Sequence, residues 1–271
     1  MDSTVDRIIK LLNQTSGRDK IYRSCQYGGK FVWWSLEQRQ GHEEITKKLK
    51  LLETHLGTSR KLFRIANSIS FLQAALKSLQ KEDNVLVVLI TLSKLNSALY
   101  LFFDHLIWAY RVGLVEVDAK YYSKLSNRFW LTTIFLNLSR DLYEFLLLLN
   151  DLSEIAKECG EPQNFNRLQK TTVHHPTNNN CNVNGISRRR VSWQSDVEIR
   201  PTYQLTPQNL LGIVWSDRKE VVLDTIRNLC DLFLPASSLG YVNLNPGQQG
   251  MCGLISSLIG LLGVWDSRYK L

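Results

Sequence analysis

The chain has 271 residues, of which 44% are hydrophobic and 21% charged, with a formal net charge of +8. That composition allows one large domain or two small ones and excludes an intrinsically disordered polyanion or a low-complexity fibre. The basic excess sits unevenly: residues 1–83 carry 15 basic and 9 acidic groups, 84–158 carry 7 and 8, 159–206 carry 6 and 3, and 207–271 carry 5 and 5.

A basic region can meet nucleic acid or a membrane surface. The aromatics do not interleave with basic residues as in a nucleic-acid module, so a membrane is the expected partner and nucleic acid is not. Cys25, Cys159, Cys181, Cys230 and Cys252 are odd in number and never spaced as CxxC, which points to reduced thiols and against a disulfide framework or a zinc site. The start, Met1 to Asp6, lacks a secretory pattern, so a reducing compartment is expected and the sequons at Asn13 and Asn137 read as chance matches.

In chain order, Thr4 to Gln14 predicts a short helix with Val5, Ile8, Ile9, Leu11 and Leu12 on its apolar side. A second helix begins near Arg18 and runs to Trp34, weakened at Gly28-Gly29, with Gln40-Gly41 ending the segment. A third covers Glu43 to Leu79 with a break expected at Gly57.

Its second half is the most informative stretch of the chain. At roughly 100° per residue, Leu62, Ile65, Ala66, Ile69, Leu72, Leu76 and Leu79 fall within an arc of about 140°. Arg60, Arg64, Asn67, Ser68, Ser70, Lys77 and Ser78 lie outside that arc, and no acidic residue occurs from Arg60 to Lys81. A purely cationic polar side suits a helix lying in an anionic lipid surface. The same stripe would equally face the core of a soluble protein.

Val85 to Tyr110 contains only Lys94 and Asp104 as full charges. Its 26 residues could cross a bilayer, for which about 20 suffice, or form a buried core helix. Tyr122 to Glu158 predicts a long partner, the two making an antiparallel hairpin. Residues 159–206 then change composition sharply and read as a disordered linker. Within it, Arg188-Arg189-Arg190-Val191-Ser192 makes Ser192 a candidate phosphosite, provided the linker faces cytosol.

Leu210 to Cys230 predicts a further helix, and from Leu232 to Trp265 no charged residue occurs. Gly250 to Trp265 reads as a glycine-studded apolar helix, a membrane span or a buried core helix. In it Gly253 stacks with Ser257 and Ser256 with Gly260, the close-approach spacing of paired membrane helices, and Arg268 and Lys270 follow as anchors. The expected fold class is all-α, a membrane-associated bundle of helical hairpins with a disordered linker and a C-terminal hydrophobic membrane segment. The expected regions are 1–158 (helical, with the membrane-active helix and the hairpin), 159–206 (flexible and basic) and 207–271 (anchor).

No nucleophile, base and metal-ligand constellation of the kind catalysis requires can be assembled from the sequence. A phosphate loop and zinc-type spacing are likewise missing. The expectation is a non-enzyme with no metal and no cofactor.

Gly17-Arg18-Asp19-Lys20-Ile21-Tyr22-Arg23, followed by Gln26-Tyr27-Gly28-Gly29-Lys30-Phe31, resembles the signature of the peroxisomal biogenesis factor 11 family, also called peroxin-11. Asp104 with Trp108, and Asp231 to Pro235 through Gly250, Ser256-Ser257, Gly260 and Trp265, agree in order. The resemblance implies a peroxisomal membrane protein, its N-terminal region facing cytosol, whose amphipathic helix bends and elongates the membrane before fission. It further implies self-association and cooperation with fission adaptor proteins and a dynamin-like GTPase. Under it, Arg60, Lys61, Arg64 and Lys77 become headgroup contacts, and Leu62, Ile65, Ile69, Leu72, Leu76 and Leu79 the inserted wedge. The alternatives are a metabolite channel, with Lys94, Asn96, Asp104, His105 and Arg140 as intramembrane candidates, and a soluble helical scaffold.

Overall fold

The computed structural model describes residues 4–39, 42–65, 67–160, 218–266 and 269. Residues 161–217, including Ser192 and nearly all of the expected linker, lie outside the described residues, as do Arg268 and Lys270. The chain divides into two compact units, one formed by Met1–Tyr143 with Lys219–Leu271, the other by Glu144–Arg218. In the second unit the helical residues 144–160 and Arg218 are described.

All regular structure among the described residues is helical: α1 (Thr4–Asn13), α2 (Thr15–Glu37), α3 (Glu43–Phe63), α4 (Asn67–Ser78), α5 (Asn84–Arg111), α6 (Ala119–Gly160), α7 (Lys219–Ser238) and α8 (Pro246–Trp265). α5 starts where Asp83 accepts hydrogen bonds from the Val85 and Leu86 amides, satisfying two donors that have no intrahelical partner. α8 starts at a capping box in which Asn245 and Gln248 bond each other's amides, with Pro246 at the first helical position. Gly240 closes the turn after α7 at φ +84°, a conformation that glycine adopts without a Cβ penalty.

Several boundaries differ from expectation. The predicted third helix does not break at Gly57; α3 runs through it and ends at Phe63. Glycine costs a helix only about 1 kcal/mol, and here the missing side chain admits Gln26, whose Nε2 would stand 3.1 Å from a Cβ on Gly57. α2 likewise continues through Gly28-Gly29. α7 extends through Pro235, and α8 begins at Pro246, four residues earlier than expected. At 28 and 20 residues, α5 and α8 are long and apolar enough to cross a membrane; at 1.5 Å per residue they measure about 42 and 30 Å, against about 30 Å of hydrocarbon.

α5 and α6 form the expected antiparallel hairpin. Tyr143 donates to Asp83, Ser93 to Asn137 and Ser126 to the Tyr100 carbonyl, while Tyr100 stacks on Trp130 and Phe103 on Phe129. α2 lies between α3 and α8, antiparallel to both: Trp34 faces Gly247 and Lys20 faces Gly260, while Trp33 donates to Glu53 and Tyr22 packs on Phe63.

α8, and in part α5, invert the polarity of a water-soluble helix. In α5, Ser93, Ser97 and Asp104 point inward beside Ala98, Leu101 and Ile107, whereas Val85, Val88, Leu92, Leu95, Leu99 and Phe102 are exposed. In α8 the inward residues are Gly247, Gly250, Gly253, Ser256, Ser257 and Gly260, and Met251, Ile255, Leu258, Leu262 and Trp265 face out. Both outward sets are spaced alternately three and four residues apart, one continuous stripe per helix. Small and polar residues between helices with aliphatics outside is the arrangement that lipid favours, because close packing and interhelical hydrogen bonds replace hydrophobic burial as the cohesive force.

Candidate lipid interface

α4 repeats this inversion on a smaller scale. Its buried residues are Ala75 and Ser78, and Ser78 Oγ lies 2.7 Å from Thr91 Oγ1 of α5. Phe71 takes the Lys94 ammonium over its ring at 5.8 Å. The large aliphatics turn away from this contact: Ile69 is 72% exposed, Leu76 68%, Leu79 56% and Leu72 47%. Leu62 and Ile65, on the approach to α4, are exposed as well. The predicted apolar arc is therefore open, with small residues providing the contact to the rest of the fold. Ala66 lies outside the described residues.

Two features of this stretch are corrected. The single helix expected from Arg60 to Leu79 is two, α3 and α4, joined by a turn in which the Arg64 and Ile65 amides reach back only three residues, to Lys61 and Leu62. And of the four cations expected on the polar side, only Lys77 is exposed. Lys61 pairs with Asp104 Oδ1, and Arg64 donates to Asp104 Oδ2 at 2.8 Å and to the Tyr100 hydroxyl at 3.1 Å. Arg60 donates to Asp19 at 3.1 Å and to Gln26 at 2.7 Å. The physical reason is the cost of an unpaired buried charge: Asp104, in an apolar helix, demands cations, and those at the end of α3 are within reach.

The signature residues of α2 serve the same junction. Gly17 sits so close to the Leu11 carbonyl that any side chain there would collide with it. Arg18 stacks over Phe63 at 5.7 Å. Asp19 receives Arg60 and lies 3.9 Å from Arg64; burial works to raise its carboxyl pKa, but the two guanidiniums outweigh burial and hold it below the usual carboxylate range. Gln26 accepts from Arg60, and Tyr27 packs its ring against Gly253 while Arg23 lies 5.5 Å from that ring.

Lys20 packs against Gly260, its Cδ and Cε 3.2 Å from where a Cβ would stand. Burial, reinforced by Arg23, pushes its ammonium pKa down from 10.5 to about 7. The unfolded chain therefore binds more protons than the folded one between those values, and stability rises with pH across that window. Replacing Lys20 with methionine should flatten the gain in melting temperature of detergent-solubilised protein between about pH 7 and about pH 9, measured beside the parent chain.

The chain matches the profile of the peroxisomal biogenesis factor 11 (PEX11) family over residues 5–265. It belongs to that family. Among curated relatives, peroxisomal membrane protein 11B of Homo sapiens is 31% identical over 259 residues, covering 95% of this chain and 96% of its own. Peroxisomal membrane protein 11A of Rattus norvegicus is 30% identical, covering 98% and 99%, and the Dictyostelium discoideum homolog is 29% identical, covering 96% and 94%. No solved structure matches the chain.

Within this PEX11 chain, Gly253, Ser256, Ser257 and Gly260 are all buried, and Gly253 and Gly260 face α2 of the same chain. Sequence reasoning missed Gly247, which meets Trp34, and named Gly250 only as part of the family pattern, whereas its Cβ would stand 2.7 Å from the Phe31 amide nitrogen. It named Asp231 of α7 only within the family pattern and missed the polar stripe to which that residue belongs. Asp231 accepts from both Arg23 guanidinium nitrogens, at 2.5 and 3.3 Å, and Asp224 accepts from Arg140 at 2.5 Å, while Asn228 donates to Asp141 at 3.1 Å. The signal was present: Asp224, Asn228 and Asp231 recur at i, i+4 and i+7, one helix face lined with polar groups beside an apolar opposite face.

Proposed function

We propose that this chain is a peroxisomal membrane protein that remodels and elongates the membrane by seating α4 in the cytosol-facing leaflet, promoting fission and proliferation of the organelle. The observation that carries this reading is the exposure of Leu62 at the end of α3, Ile65 in the turn and Ile69, Leu72, Leu76 and Leu79 along and just after α4, while Ala75 and Ser78 are the residues α4 buries. Half-burying six such side chains in lipid contributes on the order of 5–9 kcal/mol. A helix inserted about 5–10 Å into one leaflet expands that leaflet alone, which favours positive curvature.

The pairing of Arg60, Lys61 and Arg64 changes the electrostatic share. Lys77 and Lys81, both exposed, contribute about 1 kcal/mol each near an anionic surface, so the apolar face dominates at this site. Asp104 held by Lys61 and Arg64, Arg140 held by Asp141 and Asp224, and Lys94 over Phe71 support a cross-linked bundle over a channel, because a conducting path needs polar groups free to face water. Self-association, fission adaptor proteins and a dynamin-like GTPase complete the proposal as its partners, the exposed stripes of α5 and α8 offering contact surface.

The reading is tested by Ile69→Glu in full-length protein added to negatively charged vesicles. Tubulation seen by electron microscopy should be lost while helix content and melting temperature hold, since Ile69 touches little of the fold. Tubulation equal to that of the parent chain rules the wedge out.

A further inference from the structure

α1 has no part in the function above, although its geometry is that of a lipid-facing element. Val5, Ile8, Ile9 and Leu12, at i, i+3, i+4 and i+7, form one apolar arc, exposed by 62, 43, 50 and 45%. Leu11 is the one buried residue of the helix. Arg7 and Lys10 are exposed on the opposite, polar face, giving α1 two basic residues against the single acidic Asp6.

Its position is set by neighbours on two sides. The turn into α2 is tight enough that Gly17 must lack a side chain to clear the Leu11 carbonyl, so the direction of α1 is fixed by backbone contact. α1 also touches α8. Because Trp34 faces Gly247 and Lys20 faces Gly260, α2 runs antiparallel to α8, and its first turn lies beside the last turns of that helix. Those turns expose Leu258, Leu262 and Trp265. The end of a 20-residue apolar helix stands at headgroup level when the helix spans, and an exposed tryptophan there is what the interface favours. α1 is thus an amphipathic, net-cationic helix held at the depth where such helices bind.

We infer that α1 is a second interfacial element, docking its Val5, Ile8, Ile9 and Leu12 face into a leaflet with Arg7 and Lys10 on anionic phospholipid headgroups. This rests on the membrane reading above but not on α4. With Arg60, Lys61 and Arg64 committed to carboxylates, Arg7 and Lys10 of α1 join Lys77 and Lys81 as exposed cations that can meet anionic lipid from this part of the chain.

The test uses full-length protein with Cys25, Cys159, Cys181, Cys230 and Cys252 replaced by serine and one cysteine introduced, either Ile9→Cys or Leu76→Cys, carrying a polarity-sensitive fluorophore. Reconstitution is into phosphatidylcholine vesicles with or without phosphatidylserine. With phosphatidylserine, the label at position 9 should shift to the blue, lose quenching by aqueous iodide and gain quenching by lipids spin-labelled just below the headgroup. Adding Arg7→Glu and Lys10→Glu should restore iodide quenching at position 9 and leave position 76 protected. An iodide-quenched position 9 beside a protected position 76 overturns the inference and leaves the function standing. Both positions open to iodide overturns both, and equal protection of position 9 in pure phosphatidylcholine overturns the anionic preference.

Discussion

Replacing Asp104 with alanine should cost about 3 kcal/mol of stability, because it removes the carboxylate partner of two part-buried cations at once. Lys61 and Arg64 both terminate on this carboxylate from the end of α3, and Arg64 supports the turn into α4 through a bond to the Arg60 carbonyl at 3.3 Å. The expected result is a large drop in the melting temperature of detergent-solubilised protein, and with it a loss of vesicle tubulation, since α4 would no longer be held at a set angle to α5. Removing the charges together separates these effects. Asp104→Leu combined with Lys61→Met and Arg64→Met leaves no uncompensated ion and should recover much of the stability. A single Asp104→Ala variant that melts with the parent chain would show that the cluster carries no load.

The second large effect is expected at Gly250. Its Cβ position lies 2.7 Å from the Phe31 nitrogen and 3.0 Å from both Phe31 Cα and the Tyr27 carbonyl oxygen, so the obstacle is backbone and cannot rotate away. Gly250→Leu must drive α2 and α8 apart, and the cost should reach or exceed the upper end of the about 1–3 kcal/mol typical of overpacking. The same displacement would unseat Tyr27 from Gly253 and pull Arg23 from Asp231. Wild-type-like thermal stability of Gly250→Leu would mean that α2 and α8 do not meet as described. The comparison is Gly29→Ala, where nothing lies within 4 Å of the added carbon and the higher helix propensity of alanine should leave stability unchanged or raise it.

Much of the architecture was legible because its signals are local. Period, turn residues and length of apolar runs place α1, α2, α5 and α8 within a few residues of their observed limits. The break in the third helix was misplaced for a reason that is not local. Glycine was the weakest helix former in sight, yet α3 ends at Phe63, beside Arg64, whose side chain is bonded to Asp104 and Tyr100, residues some forty positions away. Longer separations still hid the partners of Asp224, Asn228 and Asp231, because Arg140, Asp141 and Arg23 come from α6 and α2.

The amino-acid order alone determined that this chain is helical, that two of its helices have the length and apolarity of membrane spans, that a half-apolar helix precedes the first of them, and that its signature residues place it in the PEX11 family. It could not determine which way that half-apolar helix faces. An aliphatic arc looks the same whether a protein core or a lipid leaflet receives it, and the outcome depends on what packs on the opposite side. Tertiary structure decided this by joining Ser78 to Thr91 of α5 and burying Ala75 beside it on the same helix, which leaves Ile69 and Leu76 outside. It also decided the fate of the cations, since only folding brings Asp19 and Asp104 within hydrogen-bonding reach of Arg60, Lys61 and Arg64, and a buried carboxylate takes the nearest positive charge before any headgroup can.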